Sequence, residues 1–530
     1  MKFSAIRYIG IMMRIKNSLT PLALAITLIS VGVYAQDYDI AILNGRVMDP
    51  ETGFDKVANV GVKDGKIAVI TQQDISADEV IQAQGHVVAP GFIDTHSHSS
   101  HIPFGQKLQL RDGVTTPLEL EIGVYPVSEY YEKMEGRSQT NFGATVSAAG
   151  IREKIVNPEY NSTTGSIVQD VFDAKSHEHS HVTMEVQTFV PNSEQVEQIS
   201  QMVEQGVKEG ALGVGVPVGY MSKGATSKEM LSWQKIAADN GMSTFLHGRF
   251  SSQMPDTTGV LGFQEMISSV GIYGGGLLIQ HIHQQALNKT PEALEMVADA
   301  RKAGLKVSAE VYPYYQGATI VGADYLVPEN YGPNMGRSYE DIIEVETMKP
   351  LTKDRYEALV ETDPGTSVIF AGISEEGLND ALADPTTLIA SDAMPLTISS
   401  TGDMAIDWHT SYEDVQGHPR AAGTHAKVLR LTREKNIMPL MTAVSKMTYM
   451  PAKFLEENGV KTMNNKGRMQ VNKDADITIF DPAGVQDNST LTAAGLPSTG
   501  IPYVLVNGTV VVKDSKVLEG VYPGLAVKSN

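Results

Sequence analysis

The chain has 530 residues, 42% of them hydrophobic and 20% charged, so it is long enough for a large core and more than one domain. Its formal net charge of −20 argues against nucleic acid or an anionic membrane surface as a partner. The sequence has no cysteine, which excludes disulfide bonds and thiolate metal ligands. None of these observations identifies a substrate or an oligomeric state.

Residues 1–35 have the pattern of a secretory signal peptide. Four basic residues accompany an apolar run from about Leu19 to Val33, and Val33-Tyr34-Ala35 resembles a small-x-Ala cleavage site. A transmembrane anchor is the alternative, but the run contains Pro21 and is short for a span of ~20 residues. We predict a bacterial protein exported to the periplasm or secreted, with no membrane attachment after cleavage.

Both ends of the remaining chain show strand patterns. Within residues 36–90, Asn44-Gly45 and Asp64-Gly65 are hairpin turn signals between β-branched runs. Similar runs return in residues 456–530, around Asn507-Gly508. We predict that the two segments form one small β-sandwich domain.

Residues 91–455 alternate short apolar strands with helical patterns, such as 194–209 and 291–303. We distinguish eight candidate strands: 92–98, 114–121, 142–148, 211–216, 243–247, 277–281, 305–311 and 387–392. This repeated alternation predicts an α/β fold, a (β/α)₈ TIM barrel.

Residues 320–386 are long for a single connection. They include a helix-like piece at 338–347 and a strand-like piece at 367–370. We predict an insertion over the mouth of the barrel.

Histidines and acidic residues concentrate at the predicted strand ends, where barrel enzymes carry their active sites. His96 and His98 are two apart on the first strand, so we expect both side chains on one face. Later strand ends carry Glu119, Glu121, His247, His281, His283, Tyr312 and Asp392. Each alone could be an ordinary strand-end residue. Together they predict a site for one or two divalent metal ions such as Zn²⁺.

Several short sequence motifs extend this pattern along the chain. They are Pro90-Gly91-Phe92-Ile93-Asp94-Thr95-His96-Ser97-His98, Gly113-Val114-Thr115-Thr116, Leu246-His247-Gly248-Arg249, Gln280-His281, Val311-Tyr312-Pro313-Tyr314, Ser391-Asp392 and His418-Pro419-Arg420. In these motifs the chain resembles the amidohydrolase superfamily and, within it, the N-acyl-D-amino-acid deacylase (D-aminoacylase) group.

The resemblance implies a role for each matching residue. His96, His98, His247 and His281 would be metal ligands, and Asp392 would be a ligand and the general base. Arg420 and Tyr312 match positions that hold the substrate's α-carboxylate, a task that suits the two-pronged guanidinium. Arg249 is a further candidate for substrate binding, with a structural ion pair as the alternative.

Three positions depart from the deacylase pattern. The bridging cysteine of that group falls near Ile122, so a carboxylate, Glu121 in preference to Glu119, is expected to replace it. The group's substrate-binding lysine is here His283. A Gly-His pair expected after the third strand reads Ala148-Ala149-Gly150.

The resemblance implies a metal-dependent hydrolase for a small-molecule amide, with an N-acyl-D-amino acid as the favoured substrate. A cyclic amide or a dipeptide-like substrate is the alternative within enzymes. A non-catalytic homologue that acts as a binding module is the alternative outside them. Retention of four histidines and Asp392 at strand ends argues against the binding module.

Overall fold

A computed structural model describes residues 38–172, 178–249 and 259–529. The predicted signal peptide lies outside the described residues. Within the described ranges, none of the helices combines the length and the apolar character that crossing a membrane requires.

Strands from both ends of the chain form one nine-stranded sheet. Its strands are Tyr38–Asp49, Phe54–Lys63, Lys66–Thr71, Ala77–Gln82, Val87–Pro90, Ile477–Phe480, Tyr503–Val506, Thr509–Lys513 and Lys516–Val517. The two ends meet where Val87–Pro90 pairs antiparallel with Ile477–Phe480. The prediction that both chain ends build one β unit is therefore confirmed, whereas the exact domain boundaries stay a prediction.

The middle of the chain forms the predicted (β/α)₈ barrel. In chain order its eight strands are Phe92–Asp94, Val114–Pro117 continued by Glu119–Val124, Ala144–Ser147, Val214–Val216, Ser243–Leu246, Gly276–Ile279, Lys306–Val311 and Leu388–Ile389. Neighbouring strands in this order pair in parallel. A parallel bridge between Ser97 and Ala393 closes the ring between the eighth strand and the first.

Helices follow most of the barrel strands. They are Pro103–Arg111, Val127–Met134, Ala148–Val156, Ile167–Phe172, Ser193–Lys208, Ser227–Asp239, Gly259–Tyr273, Ile282–Ala286, Thr290–Lys302, Pro328–Met335, Lys353–Thr362, Glu375–Ala383, Arg420–Lys435, Leu440–Met447 and Tyr449–Glu457. Short 3₁₀ turns occupy Glu185–Gln187, Val218–Met221, Leu287–Lys289, Asp324–Leu326, Tyr339–Asp341 and Lys461–Asn465.

Helix Ser193–Lys208 illustrates how the sequence sets these elements. The Asn192 side chain accepts hydrogen bonds from two backbone N–H groups of the first turn, and Gln195 reaches back to the Asn192 backbone. This capping box satisfies N–H groups that the helix cannot pair internally. Val196, Ile199 and Val203 recur at helical spacing and are buried on one face. That face packs against the barrel core.

A four-stranded antiparallel sheet overlaps the predicted insertion at 320–386 and begins before it, at Gln316. Its strands are Gln316–Ile320, Ile342–Glu344, Lys349–Pro350 and Ser367–Ala371, and a separate pair joins Thr397–Ile398 to Val415–Gln416. The helix expected at 338–347 is wrong. Tyr339–Asp341 is a single 3₁₀ turn, and the next residues pair with Ser367–Ala371 instead.

Candidate metal centre and active site

The sequence-predicted ligands converge at the C-terminal mouth of the barrel. His96 and His98 follow the first strand, Glu121 lies in the second, and the remaining three follow the fifth, sixth and eighth strands. All six side chains are buried, from 0% exposed for His96 to 6% for Asp392. The six are His96, His98, Glu121, His247, His281 and Asp392.

The loop after the first strand differs from the prediction, because the strand ends at Asp94 and both histidines lie beyond it. Asp94 Oδ1 accepts hydrogen bonds from the backbone N–H groups of His96 and Ser391. These bonds turn the chain and tie the first strand to the eighth. The histidines are still side by side, with their Nε2 atoms 3.1 Å apart.

Two residues at the site have backbone angles that non-glycine residues rarely adopt. His281 has a φ of 28° and Asp392 a φ of 53°. Such strain is retained where the surrounding structure holds it, and it clusters at functional sites. At the mouth of the barrel these backbone angles belong to two of the predicted ligands.

Glu121 lies between the two pairs of histidines. Its Oε2 atom is 3.3 Å from His96 Nε2 and 3.2 Å from His98 Nε2. Its Oε1 atom is 2.9 Å from His247 Nδ1 and 3.0 Å from His281 Nε2. The carboxylate thus has the position of a bridge between two ligand sets, as the sequence favoured.

Glu119 does not lie in the ligand cluster. Its Oε2 atom is 2.8 Å from His98 Nδ1, the ring nitrogen that points away from Glu121. Its Oε1 atom accepts from the backbone N–H groups of Ile122 and Gly123, and a φ of 74° at Gly123 permits that bend. The prediction of Glu119 as a ligand is therefore corrected, and the residue orients His98.

Glu310 orients the His96 ring as Glu119 orients the His98 ring, and this role was not predicted from the sequence. Its Oε1 atom is 2.5 Å from His96 Nδ1, and Thr95 donates to its Oε2 atom. The signal for it is the alternation along Lys306–Val311, which places Glu310 on the same strand face as Tyr312. Carboxylates behind metal-ligating histidines fix the ring orientation and the tautomer.

The donor set fits a divalent cation. With Nδ1–H donated to Glu310 and Glu119, the Nε2 lone pairs of His96 and His98 point at each other. Asp392 Oδ1, which carries no hydrogen when ionised, is 3.4 and 3.5 Å from these two nitrogens. Atoms bound about 2.1 Å from a tetrahedral ion lie roughly 3.4 Å apart, so the spacing suits one ion on this side of Glu121.

The electrostatics of the cluster agree with this fit. Burial alone would lower the pKa of His96, but Asp392, Glu121 and Glu310 raise it well above its ordinary value. Burial alone would raise the pKa of Asp392, but Arg420 and His96 lower it below its ordinary value. The Asp392 carboxylate is thus ionised at neutral pH, and its negative charge favours a cation among the histidines.

Arg420, Tyr312 and His283 form a second buried group beside Asp392. Arg420 Nη1 is 3.0 Å from Asp392 Oδ2, and the guanidinium lies 4.9 Å from the centre of the Tyr312 ring. The rings of Tyr312 and His283 meet edge to face at 4.4 Å. Burial, and then the charge of His281, lower the pKa of His283 well below its ordinary value, so this imidazole is neutral.

Arg249 is bound elsewhere, which corrects its predicted role in substrate binding. Its Nε atom is 3.0 Å from Glu265 Oε2, and its Nη1 atom donates to the carbonyl oxygens of Ser222 and Ala225. These bonds tie the loop after the fourth strand to helix Gly259–Tyr273. The structural ion pair, the alternative weighed from the sequence, describes this residue.

Gly219 allows that loop to approach the centre. A Cβ atom at this position would lie 2.3 Å from His247 Cδ2 and 2.6 Å from His247 Nε2. Any side chain would displace the imidazole, so the close approach requires glycine.

Residues 179–512 match the model of the amidohydrolase family, which is more than half of the chain. The chain belongs to the amidohydrolase family. This membership confirms the predicted resemblance and the predicted hydrolase acting on carbon–nitrogen bonds.

Relatives within the amidohydrolases extend over most of the chain. A D-aminoacylase from Alcaligenes xylosoxydans xylosoxydans is 24% identical over 513 residues, covering 89% of this chain and 94% of its own. An N-acyl-D-glutamate deacylase from the same organism is 25% identical over 505 residues, covering 89% and 93%.

A solved structure shows the same fold. The N-acyl-D-glutamate deacylase from Bordetella bronchiseptica, complexed with zinc and a phosphonate inhibitor, matches with a TM-score of 0.73 and 21% identity. The match covers 93% of this chain and 100% of that one. In this chain, the buried histidines and carboxylates around Glu121 form groups that could hold a metal ion.

Proposed function

We propose that this amidohydrolase is a deacylase, which hydrolyses an N-acyl-D-amino acid to a D-amino acid and a carboxylate with zinc as its metal. The observation that carries the proposal is the position of Asp392, whose Oδ1 atom faces His96 and His98 while its Oδ2 atom faces Arg420. One carboxylate thus joins the ligand cluster to the group that suits a substrate carboxylate. The names of the two deacylating relatives and the zinc of the solved one support the choice of substrate and metal.

The histidines and Glu121 would hold the metal. His96, His98, Asp392 and Glu121 would form one ligand set, and His247 and His281 would form the other together with Glu121. When bound, a divalent ion polarises the amide carbonyl and makes water acidic enough to react at neutral pH.

Asp392 would be the general base and then the general acid. It is ionised at neutral pH because Arg420 and the histidines lower its pKa. It can accept a proton from the water that adds to the amide carbon and pass it to the nitrogen as the C–N bond breaks. The products are a carboxylate and an amine, so atoms and charge balance.

Arg420 would bind the substrate carboxylate. A guanidinium has five N–H donors, and here Nη1 meets Asp392 and Nη2 donates to the Ala318 carbonyl oxygen. Arg420 Nε has no hydrogen-bond partner among the described residues, although the side chain is 1% exposed. A buried donor without a partner is costly, and a bound carboxylate would satisfy it.

The proposal also includes export of the protein from the cytoplasm. The basic start, the apolar run and the Val33-Tyr34-Ala35 sequence support a cleaved signal peptide and a periplasmic or secreted protein. The small-molecule substrate is then a solute outside the cytoplasm.

A substrate panel tests the proposed reaction. We expect the zinc-loaded protein to release free amine from N-acetyl-D-amino acids at least about 100-fold faster than from their L-enantiomers. With the carboxylate and the amide of the substrate held in fixed positions, only one enantiomer can place its side chain without a clash. Enantiomer-resolved chromatography of the products measures this ratio. Hydrolysis of a cyclic amide or a dipeptide, with no N-acetyl-D-amino acid cleaved, would contradict the proposal.

A further inference from the structure

An apolar pocket opens beside the metal centre, over the loops that follow the second, third and fourth barrel strands. Ile122 lies near the end of the second strand, Ala149 in the helix after the third and Met221 in the 3₁₀ turn after the fourth, and helix Ile167–Phe172 forms another wall. Ile320 from the insertion and Met394 from the loop after the eighth strand close it. In an eight-stranded ring these loops lie across from the strands that carry Tyr312 and His283.

The chemistry of the lining selects an apolar ligand. Of the fourteen residues that line the pocket, only Gln187 and Tyr220 carry a polar group, and none is charged. Both polar groups already have partners, because Gln187 donates to the Gly322 carbonyl oxygen and the Tyr220 hydroxyl accepts from Thr319. The other twelve lining residues are apolar, so most of the pocket surface favours an apolar ligand.

The pocket lies close to the ligand cluster. Ile122 directly follows Glu121, and Met394 is two residues after Asp392. The ring of Tyr220 lies 4.9 Å from the ring of His247. An acyl chain attached to an amide carbonyl beside Glu121 and Asp392 would therefore have only a short distance to cover to reach the pocket.

The orientation of the bound substrate determines which of its groups enters the pocket. An N-acyl amino acid has its carboxylate and its side chain on the nitrogen side of the scissile bond and its acyl chain on the carbon side. With the carboxylate at Arg420, beside the seventh and eighth strands, the carbon side of the bond faces the second, third and fourth strands.

We propose that the pocket binds the acyl chain, and that the substrate class is an N-acyl amino acid with an apolar acyl group longer than acetyl. The inference rests on the proposed deacylase function. Each buried methylene is expected to raise kcat/KM by roughly fourfold. Hexanoyl substrates should exceed acetyl substrates by about 250-fold if all four added methylenes are buried.

The test measures kcat/KM of the zinc-loaded protein on N-acetyl, N-butanoyl and N-hexanoyl derivatives of one D-amino acid. Val168 lines the pocket and is 3% exposed, so Val168→Phe should fill it. We expect this variant to lose at least about tenfold on the hexanoyl substrate and less than about threefold on the acetyl substrate. Val190→Phe is the matched control, since Val190 is 62% exposed and does not line the pocket.

A second variant keeps the test valid if the larger side chain prevents folding. Val168→Ala enlarges the pocket and should shift the preferred chain length upwards, with the acetyl rate unchanged within about threefold. Equal rates on all three chain lengths in the unaltered protein would overturn the inference and leave the deacylase function standing. The acetyl and hexanoyl derivatives of a second D-amino acid with a different side chain are measured as well. A loss in Val168→Phe that depends on the amino-acid side chain and not on the acyl chain would also overturn the inference. No hydrolysis of any N-acyl amino acid would overturn the proposed function itself.

Discussion

Glu121→Ala is expected to abolish metal binding at the shared position and to lower kcat/KM by about 10²–10³-fold or more. Both oxygens of this carboxylate lie about 3 Å from histidine nitrogens, two on each side. No other carboxylate among the described residues meets all four histidines in this way. Metal content after dialysis, measured by mass spectrometry beside the hydrolysis rate, gives the result.

Glu119→Ala is the matched control for Glu121→Ala. It removes a buried carboxylate two residues away that contacts His98 through Nδ1 only. Loss of such an orienting partner typically weakens metal binding by roughly 10–100-fold, so this variant should still load metal at saturating concentration. If Glu119→Ala lost metal more completely than Glu121→Ala, the bridging role would belong to Glu119.

Asp392→Asn is expected to lower kcat by about 10²–10⁴-fold while metal stays bound to the histidines and Glu121. The amide keeps the size of the side chain and one oxygen, but it cannot accept the proton of the attacking water. Steady-state kinetics and metal analysis on the same sample separate the two effects. Asp239→Asn, at the exposed end of helix Ser227–Asp239, is the matched control and should match the unaltered protein.

A near-normal kcat in Asp392→Asn would show that Asp392 is not the general base. Loss of metal together with activity would instead assign Asp392 chiefly to the ligand set. Circular dichroism of the variant excludes unfolding, which is a real concern because Arg420 would lose its buried ion pair.

The barrel and most of the ligands could be predicted because their signals are local. An apolar strand of a parallel barrel ends at the mouth, so His247 and His281 could be placed from their own strands alone. The choice of Glu121 over Glu119 also used local information, since Glu121 is nearer the strand end. In both cases the parallel barrel places strand ends that are distant in the sequence next to one another at the mouth.

Other features depend on contacts that the sequence does not encode locally. Arg249 follows His247 by two residues, but its role is set by Glu265 on another element. The segment 338–347 has helical spacing, but its residues pair with Ser367–Ala371. Glu310 could have been found from its strand alternation, and it was missed because only the strand ends were searched.

The most direct test of the account is the metal content of the purified protein, measured with its hydrolysis of an N-acyl-D-amino acid before and after treatment with a chelator. The account predicts bound divalent metal, loss of hydrolysis on chelation, and recovery when zinc is restored. Hydrolysis that continues after complete removal of metal, or a protein that binds no metal even after incubation with zinc, would contradict it.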